Sequence, residues 1–511
     1  MVYFSYMQFL IDVVLVLCYL FITLLLCAWV WRFWKLYVHQ KHQANIDWLM
    51  LEVKLPREIM KSPLAMENVL TSLTHVSGVP VWWKRNILGN LPIFSSLEIA
   101  SIEGTIHFYL RIQRRFRPLV EANLYAQYPG IETAEADDYT KLMYYHHLST
   151  DTEIWGATYP LERKWAPTNP ETGTPWKNDK GEDYKMKADY LPIKTYVDFG
   201  LDRDPKEEFK IDPMTPLLEF LGSVGKDEHV WYQVLVQDEG NFNGVKAPKM
   251  YVNEKTHDHW SLSDMANERK KQLRKIKKVK KGDYVYDENG IPREINVPKK
   301  EGGGSEVKAM VYVDDREIQE RKENQLTVEE KDEIESINLK LSKPIMRVVV
   351  RLVYIAKKEA FNPNLISNIF LIMKNHNSGS PIRNAFAISP VDNYDFPWQN
   401  WLNRRLPWRK EELFESYVER EGFHIHADSR ETLEQWEDRF FWYFPLRVRK
   451  MWRIFYEAIF YPFHHPTFSD IITLNLEELA SIYHFPGTTA STPTLPRIDS
   501  AKSVAPTNLP Q

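Results

Sequence analysis

Hydrophobic and polar residues follow two periods along the chain, which together predict a mixed α+β protein. Residues 97–112 (LEIASIEGTIHFYLRI) alternate with period two around Glu103-Gly104, a pattern that predicts a hairpin of two half-buried strands. Residues 118–139 then show helical spacing up to Pro129-Gly130 and end in a short strand. With a strand and a helix begun by Pro63 upstream, the order is β-α-β-β-α-β, which is ferredoxin-like.

A second group of elements repeats this mixture further along. Residues 191–201 (LPIKTYVDFGL) are strand-like, residues 214–225 are helical, and residues 229–237 (HVWYQVLVQ) form a buried strand. A charged stretch with Gly302-Gly303-Gly304-Ser305 interrupts the group. The apolar pattern resumes at residues 345–358 (IMRVVVRLVYIAKK), so the second group continues across the excursion.

These patterns predict an α+β fold in which one N-terminal transmembrane helix precedes ferredoxin-like units, a charged insertion and a disordered C-terminal tail. The predicted segments are an extracytoplasmic N-terminus (1–8), a transmembrane helix (9–31), a juxtamembrane linker (32–50), the first unit (51–150), the first part of the second unit (151–240), the charged insertion (241–335), the continuation of the second unit (336–400), a helical, aromatic segment (401–487) and a tail rich in Pro, Ser and Thr (488–511).

The N-terminal apolar segment is the strongest single signal. Residues 13–31 (VVLVLCYLFITLLLCAWVW) carry no charge and, with the residues before them, are long enough to cross a hydrocarbon layer of about 30 Å. Basic residues follow at Arg32, Lys35 and Lys41, and none precedes the segment. The positive-inside rule therefore predicts a single-pass protein of the bacterial inner membrane, with its N-terminus outside and its bulk in the cytoplasm.

Composition adds limits to this picture. The chain has 511 residues, 26% of them charged, and a net charge of -4, so any nucleic-acid binding must come from a local patch. Cys18 and Cys27 both lie in the apolar segment, which excludes a cysteine-based zinc site from the rest of the chain.

Motifs of nucleotide and hydrolase chemistry are missing from the sequence. Gly225-Lys226 is followed by Asp227 and has the wrong glycine spacing for a phosphate loop, so it is interpreted as a helix end. No GxSxG, HExxH or dinucleotide fingerprint occurs. We therefore predict a chain that is not an enzyme and has no cofactor.

Two sets of residues remain as candidate sites. His424, His426 and Asp428 would share one face of an extended segment and are weak metal-ligand candidates, although hydrogen-bonded histidines are the commoner explanation. The basic run at 269–281 could bind anionic lipid or nucleic acid, or be a solvated helix whose cations balance the acidic stretch at 314–335. The cations considered for membrane or anion binding are Arg32, Lys35, Arg269, Lys270, Lys271, Arg274, Lys275, Lys277, Lys278, Lys280 and Lys281.

Several strings resemble one membrane-linked family. KSPLAMENVLTSLTHV, SIEGTIHFYLRIQRRFRPLVEANLYAQYPGIETAEADDYT, VYIAKKEAFNP, NYDFPWQNW and LNLEELASIYHFPG are similar to the N-terminal region of HerA/TraC-like type IV secretion ATPases of Patescibacteria. The similarity covers most of residues 51–487. In such relatives a motor domain with a phosphate loop follows, and this sequence shows no such loop.

The resemblance implies a non-catalytic, membrane-anchored component of a type IV secretion or conjugation machine, which docks a separate P-loop ATPase. The membrane and that ATPase are the implied partners, and a homo-oligomer and an indirect contact with nucleic acid are compatible with the role. The alternative is a membrane-tethered lipid- or nucleic-acid-binding protein that acts through residues 269–281.

Overall fold

The computed structural model describes most of the α+β body and part of the N-terminal segment. The described residues are scattered positions in 12–35, then 37–56, 61–73, 82–148, 151–167, 185–202, 212–238, 251–252, 259–274, 284–286, 292–294, 326–380, 382–393, 405–423, 470–487 and 494–498.

Within these ranges the structure contains sixteen strands and nine α-helices whose first and last residues are both described. The strands are β1 (Trp48–Pro56), β2 (Phe94–Ile102), β3 (Thr105–Gln113), β4 (Glu132–Glu135), β5 (Thr152–Thr158), β6 (Lys164–Trp165), β7 (Met186–Lys187), β8 (Glu228–Asp238), β9 (Tyr251–Val252), β10 (His259–Trp260), β11 (Tyr284–Tyr286), β12 (Pro292–Glu294), β13 (Ile345–Lys357), β14 (Ser389–Pro390), β15 (Ile472–Asn475) and β16 (Arg497–Ile498). The helices are α1 (Leu64–Thr71), α2 (Trp82–Asn86), α3 (Arg117–Gln127), α4 (Thr215–Gly222), α5 (Leu262–Leu273), α6 (Val328–Ser342), α7 (Asn364–Ile372), α8 (Arg405–Val418) and α9 (Leu476–Ile482).

The first four strands are hydrogen-bonded in the spatial order β4-β1-β3-β2, and every neighbouring pair is antiparallel. Helices α1 and α2 lie between β1 and β2 in the chain, and α3 lies between β3 and β4. This is the strand order of a ferredoxin-like sheet, built from the pattern that the sequence predicts.

The strands β5, β8, β13 and β14 repeat the same order as β14-β5-β13-β8, again with antiparallel pairs throughout. Helix α4 precedes β8, and α7 follows β13. The two groups meet where β2 pairs with β8, and Glu98 lies opposite Gln233. One ten-stranded sheet therefore runs through both groups, which confirms the mixed α+β class and joins the predicted units into a single layer.

The prediction of half-buried strands is wrong for β2. Its residues up to Ser101 are buried, because both faces of the sheet are covered. On one face the Ser101 hydroxyl donates to the carbonyl of Leu221 at the end of α4. On the other face Glu98 contacts Arg420, just beyond α8.

The strand predicted at residues 191–201 is also wrong, because the segment consists of turns and irregular backbone. Two of its backbone donors are bound by side chains of α9 instead of by a neighbouring strand. The amide of Ile193 donates to Glu478 at 2.8 Å, and the amide of Tyr196 donates to the Ser481 hydroxyl at 2.8 Å. Backbone amides that already have a hydrogen-bond acceptor need no partner on a neighbouring strand.

The long connection between β8 and β13 contains the short pairs β9–β10 and β11–β12, helix α5 and helix α6. Both helices begin with a capping box, at Ser261 with Asp264 and at Thr327 with Glu330. Leu262, Met265 and Ile337 join a separate small hydrophobic cluster.

Candidate functional site

The N-terminal segment is helical at each position described between 12 and 35. Several of its described apolar side chains are exposed, among them Val16 at 57% and Val30 at 68%. Lys35, one of the predicted membrane-proximal cations, is half-buried in this helical segment. Among the described residues, no helix is both long and apolar enough to cross a membrane.

The basic helix α5 lies against the acidic helix α6. Arg269 donates to both carboxylate oxygens of Glu333, at 2.7 and 3.1 Å, and Lys270 donates to Asn338 at 2.5 Å. Burial alone would lower the pKa of Arg269, but the hydrogen bonds to Glu333 and the charges of nearby acidic groups together raise that pKa. The partner of Arg269, Glu333, belongs to the acidic stretch at 314–335, whereas Lys270 donates to a neutral amide outside that stretch.

Two other cations of this run are described. The ammonium of Lys271 lies 3.9 Å from Glu268 and its side chain is 57% exposed, and Arg274, which follows the helix, is half-buried. The remaining predicted site residues lie outside the described part of the chain. These are Arg32, Lys275, Lys277, Lys278, Lys280 and Lys281 among the cations, and His424, His426 and Asp428 among the metal-ligand candidates.

The densest group of buried charges in the described body was not predicted from the sequence. Arg420 lies two residues after α8, with its guanidinium against the β2 strand. It donates to both carboxylate oxygens of Glu98, at 3.1 Å each, and to both of Asp138, at 2.5 and 2.9 Å. The carbonyl of Val418 accepts a further hydrogen bond at 2.7 Å. The guanidinium thus joins a strand, a loop and a helix end.

The electrostatics of this group follow from its geometry. Burial on its own would raise the pKa of Glu98, but the Arg420 guanidinium outweighs it and holds that pKa below its ordinary value. The pKa of Asp138 is lowered in the same way, with burial opposed by the hydrogen bonds from Arg420. Both carboxylates are therefore ionised at neutral pH and paired with one buried cation.

Neutral polar side chains make further hydrogen bonds to Glu98 and extend the group into a row. The hydroxyl of Tyr139 donates to Glu98 at 2.7 Å and lies 2.7 Å from the hydroxyl of Tyr417. Gln233, on β8, donates to Glu98 at 3.2 Å and accepts from Arg351, on β13, at 3.3 Å. The polar row therefore runs across the middle of the sheet, from the first group of strands into the second.

Two further buried ion pairs fasten α9. The ammonium of Lys340, on α6, lies 3.2 Å from the carboxylate of Glu478, and both side chains are fully buried. The imidazole of His484 lies 3.0 Å from a carboxylate oxygen of Asp212. Burial alone would lower the pKa of His484, but Asp212 outweighs it and raises that pKa.

The His484 imidazole has partners on both nitrogens, since Nδ1 also lies 2.8 Å from the carbonyl of Ala480. Nearby, burial lowers the pKa of His376 to about 4, so this ring is neutral inside the protein. Each of these groups contacts neighbouring residues, and the arrangement favours a structural role for the charges of the core.

Comparison with protein-family models, curated proteins and solved structures finds no match to this chain.

Proposed function

We propose that this chain is a non-catalytic, membrane-anchored component of a type IV secretion- or conjugation-like machine, and that its α+β body docks a separate HerA/TraC-like ATPase. The single observation that carries the anchoring half is the N-terminal segment, whose described positions are helical and expose Val16, Val30 and their apolar neighbours. Helical backbone satisfies its own polar groups, so such a segment is suited to lipid. Tethering would raise the effective concentration of a docked motor at the membrane.

The docking half is supported by the construction of the body. One continuous sheet joins both strand groups, and buried cations such as Arg420 and Lys340 are paired with carboxylates inside the protein. A body held together in this way suits a platform whose outer surface binds a partner. The partner class rests on the resemblance of strings such as LNLEELASIYHFPG to the region that precedes the motor in those ATPases.

Membrane anchoring is tested by alkaline carbonate extraction of native membranes. The unsubstituted chain should stay in the pellet, whereas the double variant Val16→Lys/Tyr19→Lys should move to the supernatant, because a Lys near the centre of the helix costs about 2.5–3.5 kcal/mol of insertion free energy. Leu119→Lys is the matched control, since this side chain on α3 is 48% exposed and apolar but lies outside the segment. Extraction of the unsubstituted chain would end the anchoring proposal.

Docking is tested separately by affinity purification from gently solubilised native membranes. Recovery of a P-loop ATPase of the HerA/TraC class in stoichiometric amount supports the proposal. Its consistent absence, with the chain still retained in the membrane, would contradict the docking half alone. Charge reversal at Lys277, Lys278, Lys280 and Lys281 examines the rival function, which requires binding to anionic vesicles or to duplex DNA to disappear.

A further inference from the structure

Two histidines from the segment before β5 and a glutamate of α8 come together. His146 and His147 follow the short 3₁₀ helix Tyr139–Leu142, and Glu411 lies on α8. Nε2 of His146 is 3.3 Å from one carboxylate oxygen of Glu411, and Nδ1 of His147 contacts the other oxygen. One ligand atom from each residue lies within 4.8 Å of the other two.

We propose that His146, His147 and Glu411 bind one zinc ion. Two neutral imidazoles and one carboxylate are a usual zinc ligand set, and three protein ligands leave the fourth tetrahedral position to water. Zinc bonds of about 2.0–2.1 Å place tetrahedral ligand atoms roughly 3.3 Å apart. The spacing between His146 and Glu411 matches that edge, whereas the His147 contact with Glu411 is closer and must open.

The surroundings already orient two of the three ligands. The Trp408 indole stacks on the His147 ring with centroids 3.6 Å apart, which restricts rotation of that imidazole. The side chains of His147 and Glu411 are each only 13% exposed, while that of His146 is 35% exposed. The cluster is thus reachable by an ion from solvent while two ligands are held by packing.

Binding has one defined cost at His146. The amide of Leu148 donates to Nδ1 of His146 at 3.2 Å, so the neutral ring carries its proton on Nε2, which faces Glu411. Zinc at Nε2 requires that proton to move to Nδ1, where it displaces the bond from the Leu148 amide. The His147 ring must likewise shift its proton from Nδ1 to Nε2.

The test is zinc titration of the full chain, purified in detergent micelles and freed of metal by a chelator. Isothermal calorimetry should give one zinc per chain, and Co²⁺ should give the visible absorption of a four-coordinate site. Mg²⁺ should not compete, because it prefers oxygen ligands in an octahedral arrangement. His147→Ala and Glu411→Gln should each weaken zinc binding at least about tenfold, as even the loss of an outer partner does.

His107→Ala is the matched control, because His107 faces a single carboxylate, Glu52, at 2.7 Å elsewhere in the body. It should leave zinc binding unchanged. Unchanged binding in the double variant His146→Ala/His147→Ala would overturn the proposal. So would a loss of all binding in His424→Ala/His426→Ala, because the zinc would then belong to that other segment.

A second measurement avoids substitution and therefore any folding defect. Saturating zinc should accelerate hydrogen exchange at the Leu148 amide, because this donor loses its acceptor on His146. The amide of Tyr128, which donates to the carbonyl of Leu124 at 2.8 Å, should exchange at an unchanged rate. Unchanged exchange at Leu148 under saturation would count against coordination through His146.

Discussion

At the scale of single residues, Arg420 is the clearest case of a side chain that determines its backbone. Its φ is 56°, in the left-handed region where glycine is the usual residue just after a helix. Arginine occupies the position because its guanidinium binds Glu98 and Asp138 from there. The strain of the backbone is offset by five hydrogen bonds that no glycine could make.

Arg420→Met should therefore destabilise the protein strongly. The substitution fills the space but leaves the buried Glu98 carboxylate without its cation, a loss of about 3–5 kcal/mol in the free energy of unfolding. Urea unfolding followed by tryptophan fluorescence measures it. Lys357→Met is the control, since the Lys357–Asp227 pair lies at the surface and its removal should fall within experimental error. If Arg420→Met lowered the free energy of unfolding as little as Lys357→Met does, Arg420 would be dispensable for stability.

No local pattern could reveal the Glu98–Arg420 contact, which joins residues 322 positions apart. In the sequence, Glu98 occupies a polar position of an alternating strand and therefore resembles a residue that faces water. The same alternation arises when a sheet is covered on both faces and one cover supplies a matching cation. Only the position of α8 in space distinguishes the two cases.

At the scale of elements, segments with complete local signals were predicted well. The hairpin turn at Glu103-Gly104 has both residues at positive φ, 51° and 85°, and connects β2 directly to β3. The strand at Ile345–Lys357 also matches its apolar run. The segment at 191–201 failed because its partner is a helix remote in sequence. The weakness of pattern alone is that it does not identify partners.

The contact between β5 and α8 depends on the absence of a side chain at Gly156. A Cβ there would lie 2.6 Å from the carbonyl oxygen of Leu352 and 2.8 Å from a methyl group of Leu413 on α8. Gly156→Ala should therefore push β5 away from α8 and from the neighbouring strand β13, and cost about 1–3 kcal/mol of unfolding free energy.

Thermal unfolding of the purified chain measures the effect. Gly379→Ala is the matched control, because nothing lies within 4 Å of the added Cβ, and it should be neutral or slightly stabilising. A neutral Gly156→Ala would show that β5 does not pack this closely on α8 and β13 in solution.

At the scale of the whole molecule, the two strand groups share the order 4-1-3-2 and meet through their equivalent second strands, β2 and β8. The polar row through Glu98 and Gln233 crosses that junction. Because no boundary interrupts the hydrogen-bonded ladder, we expect both groups to unfold as one cooperative unit.

Leu110→Ala in β3 tests this expectation. Leu110 is 3% exposed, so the truncation should cost about 2–5 kcal/mol. If both groups unfold as one cooperative unit, hydrogen exchange measured by mass spectrometry should show the same loss of protection in β13, which lies in the second group, as in β3. Leu119→Ala, at an exposed position of α3, should change neither strand. A loss confined to the first group would indicate two independent units.

The β8–β13 connection has a consequence for how this molecule can change over time. In the first group the equivalent connection is the tight turn at Glu103-Gly104, whereas the second group replaces it with a long excursion. The excursion still starts and ends at adjacent points, because Asp238 pairs with Met346. The free-energy cost of closing a connection grows by only about 0.6 kcal/mol each time its length doubles. This hairpin is therefore a site that tolerates insertions. Related chains could gain or shorten a module here without altering which strands meet.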